Sequence, residues 1–395
     1  QLIGKAHHAP QRRLYGFHHM VLDESGRRDP GFYSDYHRYF DRNKEGAYGY
    51  RDHSIDWNSW MARPSHLPEH LHPTYWTATE GIDFIERRDP TKPFFLWLSF
   101  ARPHSPYDPP QAYWDMYDDH PGIPEPYIGQ WAAKFDKPVA DTNAPRTRRS
   151  ARETRRGRAG YYGNITFIDH QIGRLLYEYN KRDPQAQRDT LIVFTSDHGD
   201  MMGDHHHWRK TYAYEGSARI PFIVRYPPSW DMPRGEIVEA PIELRDIMPT
   251  MLDAAGVDIP NSVDGQSLLP LARGQRENWR PFVQGEHTSC YKREHGMQYV
   301  TDGREKYIWF HHTGGEQFFD LVSDPGECYD LAADPSQQDR IDRWRKRLAQ
   351  INEERGDPRG QNGALVAQPD GALALSPNYK RWKARAEEME RACLG

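Results

Sequence analysis

The chain has 395 residues, 37% of them hydrophobic and 28% charged, with a mean hydropathy of -0.95; this suits a globular protein large enough for one large domain plus a smaller one. The net charge of -5, with signs mixed, gives no general case for nucleic acid, and no apolar run approaches the ~20 residues of a membrane helix, so neither partner is expected. Three cysteines far apart, Cys290, Cys328 and Cys393, make neither a disulfide framework nor a zinc site and favour a reducing compartment.

The chain opens on QLIGKAHHAP, the end of a strand followed by a polar turn, with no initiator Met and no signal-peptide pattern. Its beginning is expected upstream, and a cytoplasmic or periplasmic location is open. Residues 1–75 are rich in Pro, His and aromatics with little periodicity, and read mostly as long loops. Residues 74–88 read as a helix, with Trp76, Ile82, Phe84 and Ile85 on one face and Asp89-Pro90 as the stop. FFLWLSF, residues 94–100, is a continuous apolar run that suits a strand buried on both faces; the prolines of ARPHSPYDPP end it.

The basic run from Arg146 to Arg158 reads as a solvated loop and helix start rather than an anion-binding patch. A helix is expected across YYGNITFIDHQIGRLLYEY, with Ile165, Ile168, Ile172, Leu175 and Leu176 at helical spacing. The strands LIVFTS and PFIVRYP follow. Next comes the helix ELRDIMPTMLDAAG, with Leu244, Ile247, Met248, Met251 and Leu252 inward and Gly256 as its end. Strands alternating with helices indicate a mainly parallel sheet covered on both faces. After Gly274 the pattern changes to short strands, PFVQGEH, GMQYVTDG, EKYIWFHH and EQFFDLV, then a helix around residues 339–354. This divides the chain into an α/β catalytic domain, 1–275, and a C-terminal subdomain of antiparallel sheet plus helix, with a tail, 276–395. The tail GALVAQPDGALALSP reads as loop.

In open α/β sheets, ligands bind at the carboxyl ends of the strands. Here Lys5 and His7 follow the first apolar fragment, His104 follows FFLWLSF, and Asp197 with His198 follows LIVFTS. An Asp-His-Gly by itself also makes an ordinary turn. The wider stretch SDHGDMMGDHHHWRKTYAYEGSARIP, however, resembles the C-terminal signature of the type I sulfatases of the alkaline-phosphatase-like superfamily. Gly4-Lys5-Ala6-His7 resembles that family's early Gly-Lys-x-His. The resemblance extends to ARPHSPYDPP, YYGNITFIDHQIGRLL, DIMPTMLDAAGVDIP, DGQSLLPL and FFDLVSDPGECYDLA, in the family's order over most of residues 1–335.

The resemblance implies an alkaline-phosphatase-like fold and a sulfuric ester hydrolase. It implies that Asp197 and His198 bind a divalent cation, commonly Ca2+ with Mg2+ or Mn2+ as alternatives, that Lys210 contacts the sulfate, that His104 is the leaving-group acid, and that His7 with Lys5 sits beside the nucleophile. These residue types suit the chemistry: a cation and two lysines neutralise charge on the sulfuryl oxygens, and an imidazole manages a proton near neutral pH. In the family the nucleophile is a formylglycine made from Cys/Ser-x-Pro-x-Arg, upstream of Gly-Lys-x-His along with two Asp ligands. None of the three cysteines has that context, and Met61-Ala62-Arg63-Pro64-Ser65 lacks the Cys or Ser; the N-terminal part of the site is expected in a missing segment.

His205 is expected near the site, with His206 and His207 as loop residues. Arg219 either braces the loop or touches substrate. His287, His295, Trp309 and His311 are candidates for the pocket's outer rim, against sheet packing for Trp309 and exposure for the histidines. The expected partner is a sulfated small molecule or carbohydrate; the oligomeric state is open. The rival readings are a phosphonate monoester or phosphodiester hydrolase of the same superfamily and a non-catalytic sulfatase-like binding protein.

Overall fold

The structure, a computed structural model, describes residues 1–24, 31–289 and 292–369; Cys290, Cys393 and the end of the expected tail lie outside them. In chain order the first part runs β1 (Leu2–Gly4), β2 (Met20–Leu22), α1 (Asp35–Asn43), α2 (Pro73–Arg87), β3 (Trp97–Ser99), α3 (Gln111–Asp115), α4 (Ala151–Arg182), α5 (Pro184–Arg188), β4 (Ile192–Thr195), α6 (Glu215–Ala218), β5 (Phe222–Arg225), α7 (Ile247–Ala254) and α8 (Leu268–Ala272). β1 is the centre of a parallel three-stranded sheet, ordered β2-β1-β3, in which Gly4 is level with Leu22 and Ser99. β4 pairs with β5, and this pair is antiparallel.

The loops expected over residues 1–75 contain two elements that periodicity missed. β2 has only three residues. α1 is capped by Ser34, which accepts from the His37 amide, and its apolar face is aromatic: Tyr36 and Phe40 pack with Leu67, Leu71 and Trp76. α2 forms where the helix was expected, with Pro73 at its first turn.

Three expectations about burial fail, each for a physical reason. FFLWLSF is not buried on both faces: Phe95 and Trp97 are 50% and 43% exposed. Leu98 packs beside Gly81 and Leu175, whereas Phe95 and Trp97 on the opposite side meet the rings of Phe17 and His8 and stay half exposed. The second helix, α4, begins ten residues earlier than expected, on a capping box of Ser150 and Glu153. Its buried face holds Ile168 and Leu175 as expected, but also Gly157, Gly160, Gly163, Asn164, Phe167 and Gln171, and Ile165 points outward. A Cβ at Gly160 would come within 2.7 Å of the Tyr107 carbonyl oxygen, so small residues let the segment around Tyr107 lie against the helix backbone. In ELRDIMPTMLDAAG, Leu244 and Met248 are exposed. There the buried Asp246 carboxylate takes the Glu243 and Gln266 amides and sets off a separate 3-10 turn before α7, which rotates the apolar positions; Gly256 does end the helix, at φ 66°.

The basic run is a helix start, but it is not simply solvated. Arg158 is buried on Asp204 at 2.6 Å and the Met202 carbonyl, Arg149 lies over Trp60, and Arg156 lies over Trp114.

Beyond α8, β6 (Val283–His287), β7 (Met297–Thr301), β8 (Glu305–Phe310) and β9 (Gly315–Asp320) form an antiparallel sheet in sequence order, followed by α9 (Gln338–Glu354). The side-chain alternation of the strands divides its two faces. Val300, Tyr307, Trp309 and Phe318 pack on Ile341, Trp344 and Leu348 of α9. Met297, Ile308 and Phe319 pack on Met201, Tyr212 and Tyr214 of the loop after β4. Within the expected tail, β11 (Ala364–Leu365) pairs with β10 (Gly360–Gln361), so that part is not loop.

Candidate active site

Three strand ends meet. At the end of β1, Gly4 has φ 94°, and a Cβ there would lie 1.9 Å from the Ser99 carbonyl oxygen. Only glycine allows β1 to run this close to β3, and the next amide, Lys5 N, donates to that same carbonyl at 2.9 Å. Lys5 therefore leaves the sheet at a fixed angle, and its Nζ donates to Asp197 Oδ2 at 2.8 Å. Glu24 holds the following bend by accepting the Ala6 and His7 amides at 2.6 and 2.5 Å. Burial raises the Glu24 pKa and these two amides oppose it.

Asp197 and His198 lie just past β4. The Asp197 side chain is 56% exposed, and its Oδ2 lies 3.6 Å from His198 Nε2. Burial pushes the Asp197 pKa up, but His198, Lys5 and Lys210 outweigh it and the net direction is down. His198 Nδ1 donates to the Gly199 carbonyl at 2.8 Å, so its Nε2 carries a lone pair facing Asp197. From beyond β3 comes His104, whose ring centroid is 6.0 Å from that of His198. Its Nδ1 donates to the Ser105 carbonyl at 2.9 Å, which leaves Nε2 to accept from Lys210 Nζ at 2.6 Å. Burial first, then Lys210, holds the His104 pKa well below its ordinary value, so the ring is neutral at pH 7.

Lys5, Asp197, His198, His104 and Lys210 thus form one chain of contacts. His7 stands two residues from Lys5 on the same bend, with its side chain exposed and φ 56°. The loop that carries Lys210 is tightly folded, and Met202, His205, His206, Arg209 and Thr211 all have positive φ, a degree of strain that collects at functional loops. Asp200 organises it: its Oδ1 accepts the Met202 and Arg209 amides and its Oδ2 accepts the Tyr107 hydroxyl.

Several residues depart from expectation. His205 is buried against Trp131 and accepts from the Gly129 amide; it packs the loop rather than facing Asp197. His207 is fully buried, between Phe135 and Tyr212, as a core residue. Arg219 is exposed and pairs with Glu215. Trp309 packs in the sheet, as one of its two readings had it, but His311 is buried rather than exposed, and His295 meets Arg146. Residue reading missed Trp57, whose indole stacks on His104 at 5.6 Å, along with Asp200 and Glu24. Only Asp200 had a local signal, as the last residue of Asp-His-Gly-Asp.

The donors at Asp197 and His198 are one carboxylate and one imidazole. They suit part of a divalent-cation shell, which for calcium needs about six to eight ligands. Among the described residues, no group of three or more His, Cys, Asp or Glu converges as a full metal site.

A family model described as sulfatase matches residues 21–257, and one described as N-sulphoglucosamine sulphohydrolase, C-terminal, matches residues 203–354. The chain is similar to an arylsulfatase of Clostridium perfringens, 43% identical over 88% of this chain and 74% of the relative. It is 27% identical to a choline-sulfatase of Rhizobium meliloti over 85% of this chain and 65% of that protein. A crystal structure of a phosphonate monoester hydrolase from Agrobacterium radiobacter superposes with a TM-score of 0.62 at 28% identity, covering 74% of this chain and 62% of that one. Fold and strand-end site together define an alkaline-phosphatase-like hydrolase. Within that class the chain belongs to the sulfatase family, whose members are sulfuric ester hydrolases.

Proposed function

We propose that the chain carries most of the site of a sulfatase that hydrolyses a sulfated sugar or an aryl sulfate, with calcium as the cation and a formylglycine nucleophile supplied by a segment upstream of residue 1. The observation that carries this reading is the joining of three strand ends through Lys5–Asp197 and Lys210–His104. Asp197 and His198 would hold the cation, which when bound supplies positive charge beside the sulfuryl oxygens. The formylglycine supplies the covalent nucleophile that divides one displacement into two steps. Lys5 and Lys210 neutralise charge on the sulfate, which is stabilised most where charge builds up. An anionic ester between them offsets the Lys210 charge that adds to burial in lowering the His104 pKa, so that pKa rises on binding. Lys210 and His104, already hydrogen-bonded, then hold the proton that the departing oxygen takes. His7 stands beside the place of the nucleophile.

The likeness to a phosphonate monoester hydrolase supports a second reading, hydrolysis of a phosphonate monoester or phosphate diester with the same residues. A panel of aryl sulfate, phosphate diester and phosphonate ester, given to the polypeptide with its upstream segment, tests both. Turnover of the sulfate, reduced about 10²- to 10⁴-fold by Lys210→Ala or His104→Ala, is the expected result. Faster turnover of the phosphonate would replace the first reading with the second. An upstream segment without Cys/Ser-x-Pro-x-Arg, and no turnover at all, would leave a binding protein.

A further inference from the structure

Lys210 and His104 are carried by two separate segments, each braced in its own way. In the segment after β3, Arg102 Nε and Nη2 donate to the two oxygens of Asp108 at 2.6 and 2.9 Å, and both side chains are buried. Between them the buried Ser105 Oγ donates to the Ser59 carbonyl at 2.5 Å. Residues 102–108 are thus closed on themselves and tied down at the middle, so a tether at Tyr107 also fixes His104. In the loop after β4, Lys210 stands between two residues of positive φ, Arg209 at 68° and Thr211 at 83°. Backbone strain of this kind persists only where the surroundings impose it.

Asp200 imposes it and also reaches across to the other segment. Its Oδ1 accepts the Arg209 amide at 2.9 Å and the Met202 amide at 3.1 Å. The Met201 amide donates to the Arg209 carbonyl at 2.7 Å, so the residue before Lys210 is held by both its backbone groups. Asp200 Oδ2 accepts the Tyr107 hydroxyl at 2.8 Å. The Tyr107 ring is fully buried against Met202 and Trp208, and burial, then the Asp200 charge, keeps its hydroxyl protonated. One carboxylate therefore bonds to both segments, next to Lys210 on one side and a few residues past His104 on the other. The same segments meet again at the Lys210–His104 bond of 2.6 Å, but that bond is the one a substrate disturbs. A sulfate oxygen competes for the three donors of the ammonium. With that contact loosened, the Asp200–Tyr107 bond still holds the two segments together.

We infer that Asp200 and Tyr107 are positioning residues, a clamp that keeps Lys210 and His104 at the distance needed to deliver a proton to the departing oxygen. The inference rests on the sulfate-ester reading, in which His104 serves that oxygen. Two conservative substitutions cut the clamp from opposite sides: Asp200→Asn keeps an oxygen for the two amides but turns an N–H donor on Tyr107, and Tyr107→Phe removes the hydroxyl alone. In the chain itself, 15N NMR at one pH reads His104 Nε2, whose resonance depends on the hydrogen bond it accepts. In both variants it should move toward its position in Lys210→Met. In the polypeptide with its upstream segment, kcat for phenyl sulfate should fall about ten- to hundredfold. For nitrophenyl sulfate, whose phenolate leaves without a proton, the fall should be less than about threefold, with KM unchanged for both. The double variant should lose no more than the larger single, since one bond is removed either way. An Nε2 resonance unmoved in both variants overturns the clamp, and so do equal losses on the two sulfates, which mark a merely structural role. If His104→Ala itself loses equally on both sulfates, or neither is turned over, the sulfate-ester reading of His104 falls, and the NMR comparison decides the clamp without it.

Discussion

The bond between Lys210 Nζ and His104 Nε2 admits one protonation pattern, an ammonium donating to a neutral imidazole, because His104 Nδ1 already donates to the Ser105 carbonyl. His104 is held below its ordinary pKa of 6.5 by burial and then by Lys210. Below pH 6.5 the unfolded chain therefore gains a proton that the folded chain refuses, and folding stability falls with pH until the folded value is reached. Lys210→Met removes one of the two main causes. Its His104 resonance, followed by NMR against pH, should titrate higher than in the unmodified protein, and the acid loss of stability should be smaller; an unchanged midpoint would disprove the pairing. Asp197 offers the complementary case. Its pair with Lys5 is more than half exposed on the aspartate side, and such pairs add only about 0–1 kcal/mol to stability. Asp197→Ala should thus leave thermal unfolding without calcium nearly unchanged but abolish any rise in melting temperature on adding calcium; a calcium-induced rise as large as in the unmodified protein removes Asp197 from the cation site. Lys5, His104 and Asp197 were legible in the sequence because each follows the end of an apolar run, and Lys210 through the family resemblance of the stretch that carries it. Trp57 and Glu24 were not, since they reach the site from loops with no periodic signal and act through a ring face and two backbone amides.

Elements were legible where one face is apolar at a regular period, as in α2 and the strands β6 to β9, and less so where partners decide. No pattern within FFLWLSF tells which side will be covered, and α4 buries glycines that a search for aliphatic periodicity passes over. Gly4 shows what that kind of packing demands. Its positive φ and the 1.9 Å approach of a built Cβ to Ser99 O mean that Gly4→Ala must separate β1 from β3. A loss of about 2–4 kcal/mol is expected, read as a lower urea midpoint; a loss under about 0.5 kcal/mol would mean the strands are not this close. The C-terminal sheet is fastened to the site loop by a buried cation. Lys306 Nζ donates to the Ala213 carbonyl, Glu215 Oε1 and Glu327 Oε1 at 2.7, 2.7 and 2.8 Å. Burial alone would depress this ammonium, but Glu327 and Glu215 outweigh it and keep it protonated. Lys306→Met strands the buried Glu327 carboxylate and should destabilise by about 3–5 kcal/mol, whereas Lys306→Met with Glu327→Gln should recover part of that loss. Equal losses in the single and double variants would show that the pair does not act as a unit.

At the scale of the molecule, the departures among the strands of the first part share a direction: apolar side chains that should be covered are exposed. Phe95, just before β3, and Trp97 on it are joined by Phe194 on β4 and Ile223 on β5, the last two directly opposite each other in register and so on one face. β1, flanked by a strand on each side, has Leu2 and Ile3 fully buried. β3 and β4 are as apolar in sequence, yet among the described strands each has a neighbour on one edge alone. Exposed apolar strand edges seek pairing. By itself the chain is therefore expected to self-associate, its weight-average mass in light scattering rising with concentration. Trp97→Lys with Ile223→Lys should hold it monomeric without lowering its melting temperature, because neither side chain is fully covered in the isolated chain. The same two substitutions give the opposite result if the nucleophile-bearing segment of the proposed function covers these faces. In the longer polypeptide each lysine would then replace a buried apolar side chain worth about 1.5–3 kcal/mol, and the melting temperature should fall. A chain that stays monomeric at every concentration, or a longer polypeptide indifferent to both substitutions, would mean that these strands face water in the working protein and that the nucleophile-bearing segment docks elsewhere.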